Sequence, residues 1–204
     1  MILLQPTYFS PIIQYVSIAK SSKIVFEAED NFQKQTYRNR CYIYTSYGKH
    51  LLIVPVQHNK SIKQKTKDVK IDYKDSWQKL HLRTFITAYN ASPYFEYYID
   101  DLLPIFEKQT TFLTDLNLKC HHFIMDALQL EVPTVKTIDY LKEVDFLDLR
   151  KLAIAKGENN FQLKRYIQVF EENHGFISNL SILDLLFMEG PNALNYLESQ
   201  NLQF

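Results

Sequence analysis

Glycine is scarce in this chain: four residues among 204, at Gly48, Gly157, Gly175 and Gly190. None forms a G-x-G-x-x-G run or a P-loop, so phosphate cradles built from closely spaced glycines are excluded. No G-x-S-x-G elbow raises a nucleophilic serine. The six histidines include no H-E-x-x-H. His121 and His122 are adjacent, which sets them about 100° apart on a helix and keeps them from sharing a metal easily. Cysteine is limited to Cys41 and Cys120, distant in sequence and without Cys or His at ligand spacing. That argues against zinc and fits small core residues or a reducing compartment. Neither sign of charge is in excess, with Lys plus Arg and Asp plus Glu both 23. General nucleic-acid binding, which draws on a basic excess, is demoted. No run approaches the ~20 apolar residues of a membrane span. Met1 to Pro6 has neither the basic start nor the apolar length of a signal peptide. The expectation is a cytoplasmic chain with no membrane span and no metal site. Nothing in the pattern names a cofactor.

What is present fits one domain over residues 1–204. Hydrophobic residues make up 46%, enough for a core, and a domain of this length buries roughly 70% of its unfolded surface without a staple. Residues 2–4 and Ile24-Val25-Phe26 read as short buried strands. Between them Ser10-Pro11 starts a helix over about 11–21, with Ser as N-cap and Pro at the first helical position. Strand, helix and strand make a βαβ unit and imply a parallel pair. Cys41 to Ser46 and Leu51 to Val56 read as hairpin arms around Tyr47-Gly48-Lys49, and Val69 to Tyr73 as another strand. Asp75-Ser76 precedes a helix from Trp77 to about Tyr89. Ser92-Pro93 starts another, which Pro104 should end or kink. The periodicity of Phe112, Leu113, Leu116, Cys120, Phe123, Ile124 and Ala127 predicts a helix over 112–129. Residues 135–160 carry no clear pattern. A helix over about 161–173 and two short helices follow. The fold class is α/β: a small mixed sheet begun by the βαβ unit, with a hairpin and a helical C-terminal half covering it.

Five constellations carry chemistry. Gln5-Pro6-Thr7-Tyr8 lies between the first strand and a helix N-terminus, where open α/β sheets bind ligands and free N–H groups suit phosphate or carboxylate; a plain strand-exit turn explains it equally. Lys34 with Arg38-Asn39-Arg40 offers a guanidinium fork and an amide for an anion, or forms a solvated turn. Trp77 and His81 share a helix face, where a ring could cradle a sugar and an imidazole act as base near pH 7, though core packing is the commoner outcome. Lys60, Lys63, Lys65, Lys67 and Lys70 read mainly as a guarded sheet edge, with Lys63, Lys65 and Lys67 on one face of an extended strand. Ser181-Ile182-Leu183-Asp184 has capping-box spacing, which accounts for Asp184 without catalysis. The first strand–loop–helix is similar in outline to nucleotidyltransferases with a paired-His signature, but Ser10-Pro11-Ile12-Ile13-Gln14-Tyr15 supplies no His, so that chemistry is not supported.

Taken together, Gln5-Pro6-Thr7-Tyr8-Phe9-Ser10-Pro11, Phe32 to Lys34 with Asn39-Arg40, Leu52 to Val56, Trp77, His81, Ala88-Tyr89 and Leu180 to Phe187 resemble the WbqC-like protein family. The likeness spans nearly the whole chain. It departs where Asn31-Phe32 stands in place of the Gln-Phe that often follows the acids in similar proteins. The resemblance implies a place in O-antigen or other surface-polysaccharide biosynthesis and a transferase role, including transfer of glycine to a sugar. On that reading Lys34, Asn39 and Arg40 bind a phosphorylated or carboxylated donor. Gln5 and Tyr8 orient the substrate, His81 takes the proton of a sugar acceptor, and Trp77 and Tyr89 complete the substrate site. Two rivals remain: a non-catalytic glycan- or nucleotide-binding scaffold, and an acid–base enzyme using Glu27, Glu29 or Asp30, with a hydrated Mg²⁺-like ion held by those acids.

Overall fold

A computed structural model describes residues 1–57, 63–156 and 161–201. The chain opens with β1 (Ile2–Leu4), α1 (Ile12–Ala19) and β2 (Ile24–Phe26). Every residue of both strands is buried, which is why they read as unbroken apolar runs without alternation. They pair in parallel, Ile2 opposite Ile24 and Leu4 opposite Phe26, so the expected βαβ unit is present. The antiparallel hairpin is β3 (Arg40–Thr45) with β4 (Gly48–Ile53). Its turn is Ser46-Tyr47, and Gly48 takes φ +91°, a region glycine enters without steric cost. A second antiparallel pair is β5 (Val56–Gln57) and β6 (Lys70–Ile71), so the strand expected over 69–73 shrinks to two residues.

Three helices follow: α2 (Trp77–Tyr89), α3 (Phe95–Glu107) and α4 (Leu113–Ala127). The first has the bounds expected from sequence. The second runs on past Pro104. A proline there forfeits a backbone hydrogen bond, but Ile105 and Phe106 beyond it are buried, and Phe106 stacks 6.1 Å from Phe9. Packing outweighs the lost bond.

The stretch without a pattern supplies β7 (Thr134–Lys136) and β8 (Leu147–Asp148). They flank the first two strands in a four-stranded, all-parallel sheet of order β7-β2-β1-β8. The mixed character of the fold lies in the separate antiparallel pairs. The chain closes with α5 (Glu171–His174), α6 (Ile182–Glu189) and α7 (Ala193–Glu198). Of the helix expected over 161–173 only α5 forms; 161–168 is an irregular strap. Its anchors explain why. Leu163, Tyr166 and Gln168 are buried, and Gln168 exchanges hydrogen bonds with the backbone of Ile177, which a helical 161–173 would not align.

The apolar side chains form one core, with α1 against α6 and α7. No helix among the described residues is long and apolar enough to cross a membrane.

Gly190 ends α6 at φ +51°, and a Cβ there would sit 2.5 Å from the Tyr94 ring. Gly190→Ala should therefore combine backbone strain with overpacking and cost about 2–4 kcal/mol, read as a lower urea midpoint. An unchanged midpoint would show that Tyr94 moves aside freely.

Candidate functional site

The carboxyl ends of the parallel strands gather at one edge. β1 continues into Gln5, β2 into Glu27 to Asp30, and β8 into Asp148 and Arg150. The partners of β1 lie on opposite sides of it, the arrangement that opens a ligand crevice in such sheets.

The centre of this edge is a clamp on Asp30. Gln5 Nε2 donates to Asp30 Oδ2 at 2.9 Å, and Arg38 Nη2 donates to the same oxygen at 2.7 Å. The Arg38 side chain is 3% exposed and that of Asp30 16%, so the cation is sealed and the carboxylate reaches the surface. Among the described residues no hydrogen bond reaches Asp30 Oδ1. Burial lowers the Arg38 pKa, and the adjacent Asp30 charge and its hydrogen bond act against it. From α4, Asn117 Nδ2 donates to the carbonyls of Pro6 (3.1 Å) and Arg38 (2.8 Å). Asn39 Nδ2 donates to the Val54 carbonyl. These bonds fix the orientation of three amides, since each nitrogen faces an acceptor. Their oxygens, Gln5 Oε1, Asn39 Oδ1 and Asn117 Oδ1, are buried without partners, as is Arg38 Nε. Native cores rarely leave so many polar atoms unpaired in one patch; sites do.

Charged groups flank the clamp. Glu29 accepts from Lys65 Nζ at 2.6 Å and Lys67 Nζ at 2.5 Å. Those hydrogen bonds, Lys65 first, hold its carboxyl below the usual range. Two half-exposed lysines share this one buried carboxylate, while across the whole edge Glu27, Glu29, Asp30 and Asp148 balance Arg38, Arg150, Lys65 and Lys67. On the other side Glu27, fully buried, accepts from Thr137 Oγ1 (2.8 Å), the backbone N–H of Glu29 (2.9 Å) and Leu141 (3.0 Å), and Arg150 Nη1 (3.4 Å). Arg150 pairs more closely with Asp148, Nη2 to Oδ2 at 2.6 Å, lowering that carboxyl. Among the described residues no three His, Cys, Asp or Glu side chains are grouped to hold a metal.

The structure thus brings Gln5 and Arg38 together on Asp30, whereas the sequence reading asks for Gln5, Asn39-Arg40 and the Trp77/His81 helix in one polar hollow. Arg40 follows at the start of β3 with its Nε unpaired, and Lys34 lies exposed on the preceding loop. The remaining candidates lie elsewhere. Tyr8, Trp77 and His81 pack together in an aromatic cluster with Phe9, Phe85 and Phe106. His81 is 2% exposed, and its Nδ1 meets the Tyr8 hydroxyl at 2.9 Å. Burial pushes its pKa down to about 4, and the opposing hydrogen bond with the Ile53 backbone is the smaller influence. Contrary to the sequence reading, it is a neutral core imidazole with no path to a substrate proton. Trp77, 3% exposed, offers no face to a sugar.

The start of α1 is also closed to anions. Ile12 N–H donates to the Leu180 carbonyl and Ile13 N–H to Asn179 Oδ1. Ser10 is not the cap expected; its hydroxyl pairs with that of Thr7 at 2.6 Å. Phe9, just before it, is held at φ +37°, a strained conformation for a bulky residue. Lys65 is extended, bridged to Asn31, but Lys67 lies in a 3-10 turn at Thr66–Asp68 that ends the expected strand; Lys60 lies outside the described residues.

Tyr89 belongs to a second buried centre. Its hydroxyl donates to Asp184 Oδ2 at 2.7 Å and accepts from the Tyr44 N–H at 3.1 Å. Tyr166 (2.5 Å) and Gln168 (3.2 Å) donate to Asp184 Oδ1. Ser181 does cap α6, accepting from Leu183 N–H. Asp184 does not return the bond; it anchors the 161–168 strap instead. Burial raises its pKa to about 6 against those three hydrogen bonds.

Asp30 enters the sequence pattern only among the acids of the acid–base rival, and Asn117 and Arg150 do not enter it. Asn117 did leave a trace: it lies four residues from Leu113 and three from Cys120, a polar residue on the apolar face of α4.

Comparison with known proteins places these features in context. The model of the WbqC-like protein family matches residues 5–160. An uncharacterized protein of Mycobacterium tuberculosis, Rv1507c, is 29% identical over 207 residues, covering 88% of this chain and 89% of its own. No solved structure matches.

The Asp184 centre carries a pH dependence whose sign is fixed. Its folded pKa, about 6, lies above the reference value of 3.8. The native state therefore binds the proton first as pH falls, and the contribution to stability is complete below about 4 and lost as pH rises through 6. The change amounts to roughly 3 kcal/mol. Asp184→Asn should remove it: the stability difference between wild type and variant, from urea unfolding at pH 4 to 7, should vary by about that amount. Glu29 and Asp148, shifted the other way, are common to both proteins and cancel. Parallel pH profiles would rule it out.

Proposed function

The chain belongs to the WbqC-like protein family, and from that premise we propose a transferase of surface-polysaccharide, O-antigen-type, biosynthesis. It moves a sugar or an aminoacyl group such as glycyl from a phosphorylated or carboxylated donor to a sugar acceptor. One observation carries the reading. Asp30 is gripped through Oδ2 by Gln5 and Arg38 while Oδ1 stays unpaired at the surface. A carboxylate fixed in this way suits a general base. Oδ1 accepts the proton of the attacking hydroxyl or amine as the new bond to the acceptor forms. The donor's leaving group departs with the electron pair of the broken bond, and the half-exposed ammonium groups of Lys65 and Lys67 meet it. In this scheme Gln5 and Arg38 position the base, and Asn39 and Asn117 hold the loop that carries Arg38.

A second reading, a non-catalytic glycan- or nucleotide-binding scaffold, is favoured by the depth at which Gln5, Arg38 and Asn39 lie. At 1%, 2% and 7% exposure these side chains hold architecture more readily than substrate.

Asp30→Asn would strip buried Arg38 of its counter-charge and cost about 3–5 kcal/mol of stability. The informative change is Asp30→Glu, which keeps the charge and displaces the oxygen by one methylene. Turnover of nucleotide-sugar and aminoacyl donors, followed by mass spectrometry of the product, should fall about 10²-fold while donor binding persists. Lys65→Ala with Lys67→Ala should raise KM for the donor. Undiminished turnover in Asp30→Glu would end the base assignment, and saturable binding without turnover in wild type would establish the scaffold.

A further inference from the structure

A groove of about 630 Å³ lies between the hairpin and the 161–179 segment, within the size range of small-molecule sites. Its walls are aromatic, with Tyr37, Phe161 and Phe176 among the lining residues. Tyr37 packs edge-on against Tyr42 at 6.0 Å and 83°, and Lys49 Nζ sits 4.4 Å above the Tyr42 ring. Among the described residues no Asp or Glu lines this groove. Among the described residues Lys49 has no ion-pair partner. Desolvation lowers its pKa.

Two further lining groups, on Asn179 and Tyr37, can also donate. Asn179 Oδ1 is committed to the N–H of Ile13, which fixes the amide and turns its NH₂ to the free side. Burial pushes the Tyr37 hydroxyl up to about 12, so it stays protonated, and among the described residues it makes no hydrogen bond. An ammonium, an amide NH₂ and a phenol O–H beside aromatic walls, with no acid among the described lining residues, form a complement to one chemistry.

We propose that this groove is a binding site for a ring-bearing anion, a sugar or nucleoside carrying phosphate or carboxylate. The ring lies on the aromatic walls, and Lys49, Asn179 and Tyr37 receive the charge. The site adjoins the Asp30 clamp, because Tyr37 precedes Arg38, but the inference stands without the transferase reading.

The test is calorimetry on the whole chain with five probes: glucose 1-phosphate, uridine diphosphate, glucuronate, glucose and inorganic phosphate. At least one ring-bearing anion should bind tenfold or more tightly than both glucose and inorganic phosphate. Whether glucuronate or the phosphates bind best assigns the headgroup. Lys49→Met should weaken that binding at least tenfold and Tyr37→Phe about threefold, with thermal unfolding confirming that both variants are folded. Lys49 takes no part in the proposed catalytic edge, so weakening by Lys49→Met places the binding in this groove. The proposal falls if no ring-bearing anion exceeds both glucose and inorganic phosphate, or if Lys49→Met binds as wild type.

Discussion

The ion pair between Asp30 and Arg38 is the constraint on which the arrangement of this protein rests. A guanidinium 3% exposed is tolerated only with a counter-charge at hydrogen-bond distance, because an unpaired buried cation costs several kcal/mol. Asp30 is the acid that meets it. That requirement fixes the loop leaving β2 against the turn that leads into β3. Gln5, bonded to the same oxygen, adds the exit of β1, and Asn117 ties in α4 by gripping the carbonyls of Pro6 and Arg38. Sheet, hairpin and helix are thus registered through one carboxylate.

Three buried polar centres differ in a way that separates function from architecture. The Tyr8–His81 pair is neutral and sealed in aromatic packing, so it has neither a charge to move nor an exit for a proton. Asp184 is an acid held only by neutral donors, and the folded state meets the desolvation cost with a raised pKa. It holds the 161–168 strap on α6, a structural task that leaves no free oxygen. Asp30 alone of the three combines a full counter-charge with an unpaired oxygen at the surface.

The fold was legible where a local rule and the tertiary outcome agree. Strands β1 and β2 are apolar throughout because both faces are covered, and α2 has an amphipathic run between clear boundaries. β7 and β8 were not legible. They are three and two residues long, at the sheet edges and mostly exposed, so no burial pattern marks them; their pairing is imposed by β2 and β1. The 161–173 segment misled for the opposite reason. Its spaced apolar residues mimic a helical face, but the anchors are Tyr166 and Gln168, bonded to Asp184 and Ile177, and these long-range partners override the local period. At the site, Gln5 and the Arg38-Asn39 pair could be read from sequence as polar groups at a strand exit and a turn. The inward aim of His81 could not: i, i+4 spacing to Trp77 is the same whether the face meets solvent or core.

The scarcity of glycine and the closure of α1 have one consequence in common. A chain without a glycine-rich loop cannot wrap phosphate in backbone N–H groups, and its remaining backbone option is a helix N-terminus. Here Leu180 and Asn179, brought back from the C-terminal segment, take the first N–H groups of α1. Any anion at this end of the molecule must therefore be met by side chains. Two places among the described residues offer such side chains: Lys65 and Lys67 sharing Glu29 at the strand ends, and Lys49 with Asn179 beside the hairpin. Asn179 belongs to both sides of this argument. By giving its oxygen to the helix it removes a backbone anion site, and by the same commitment it presents its NH₂ to the groove.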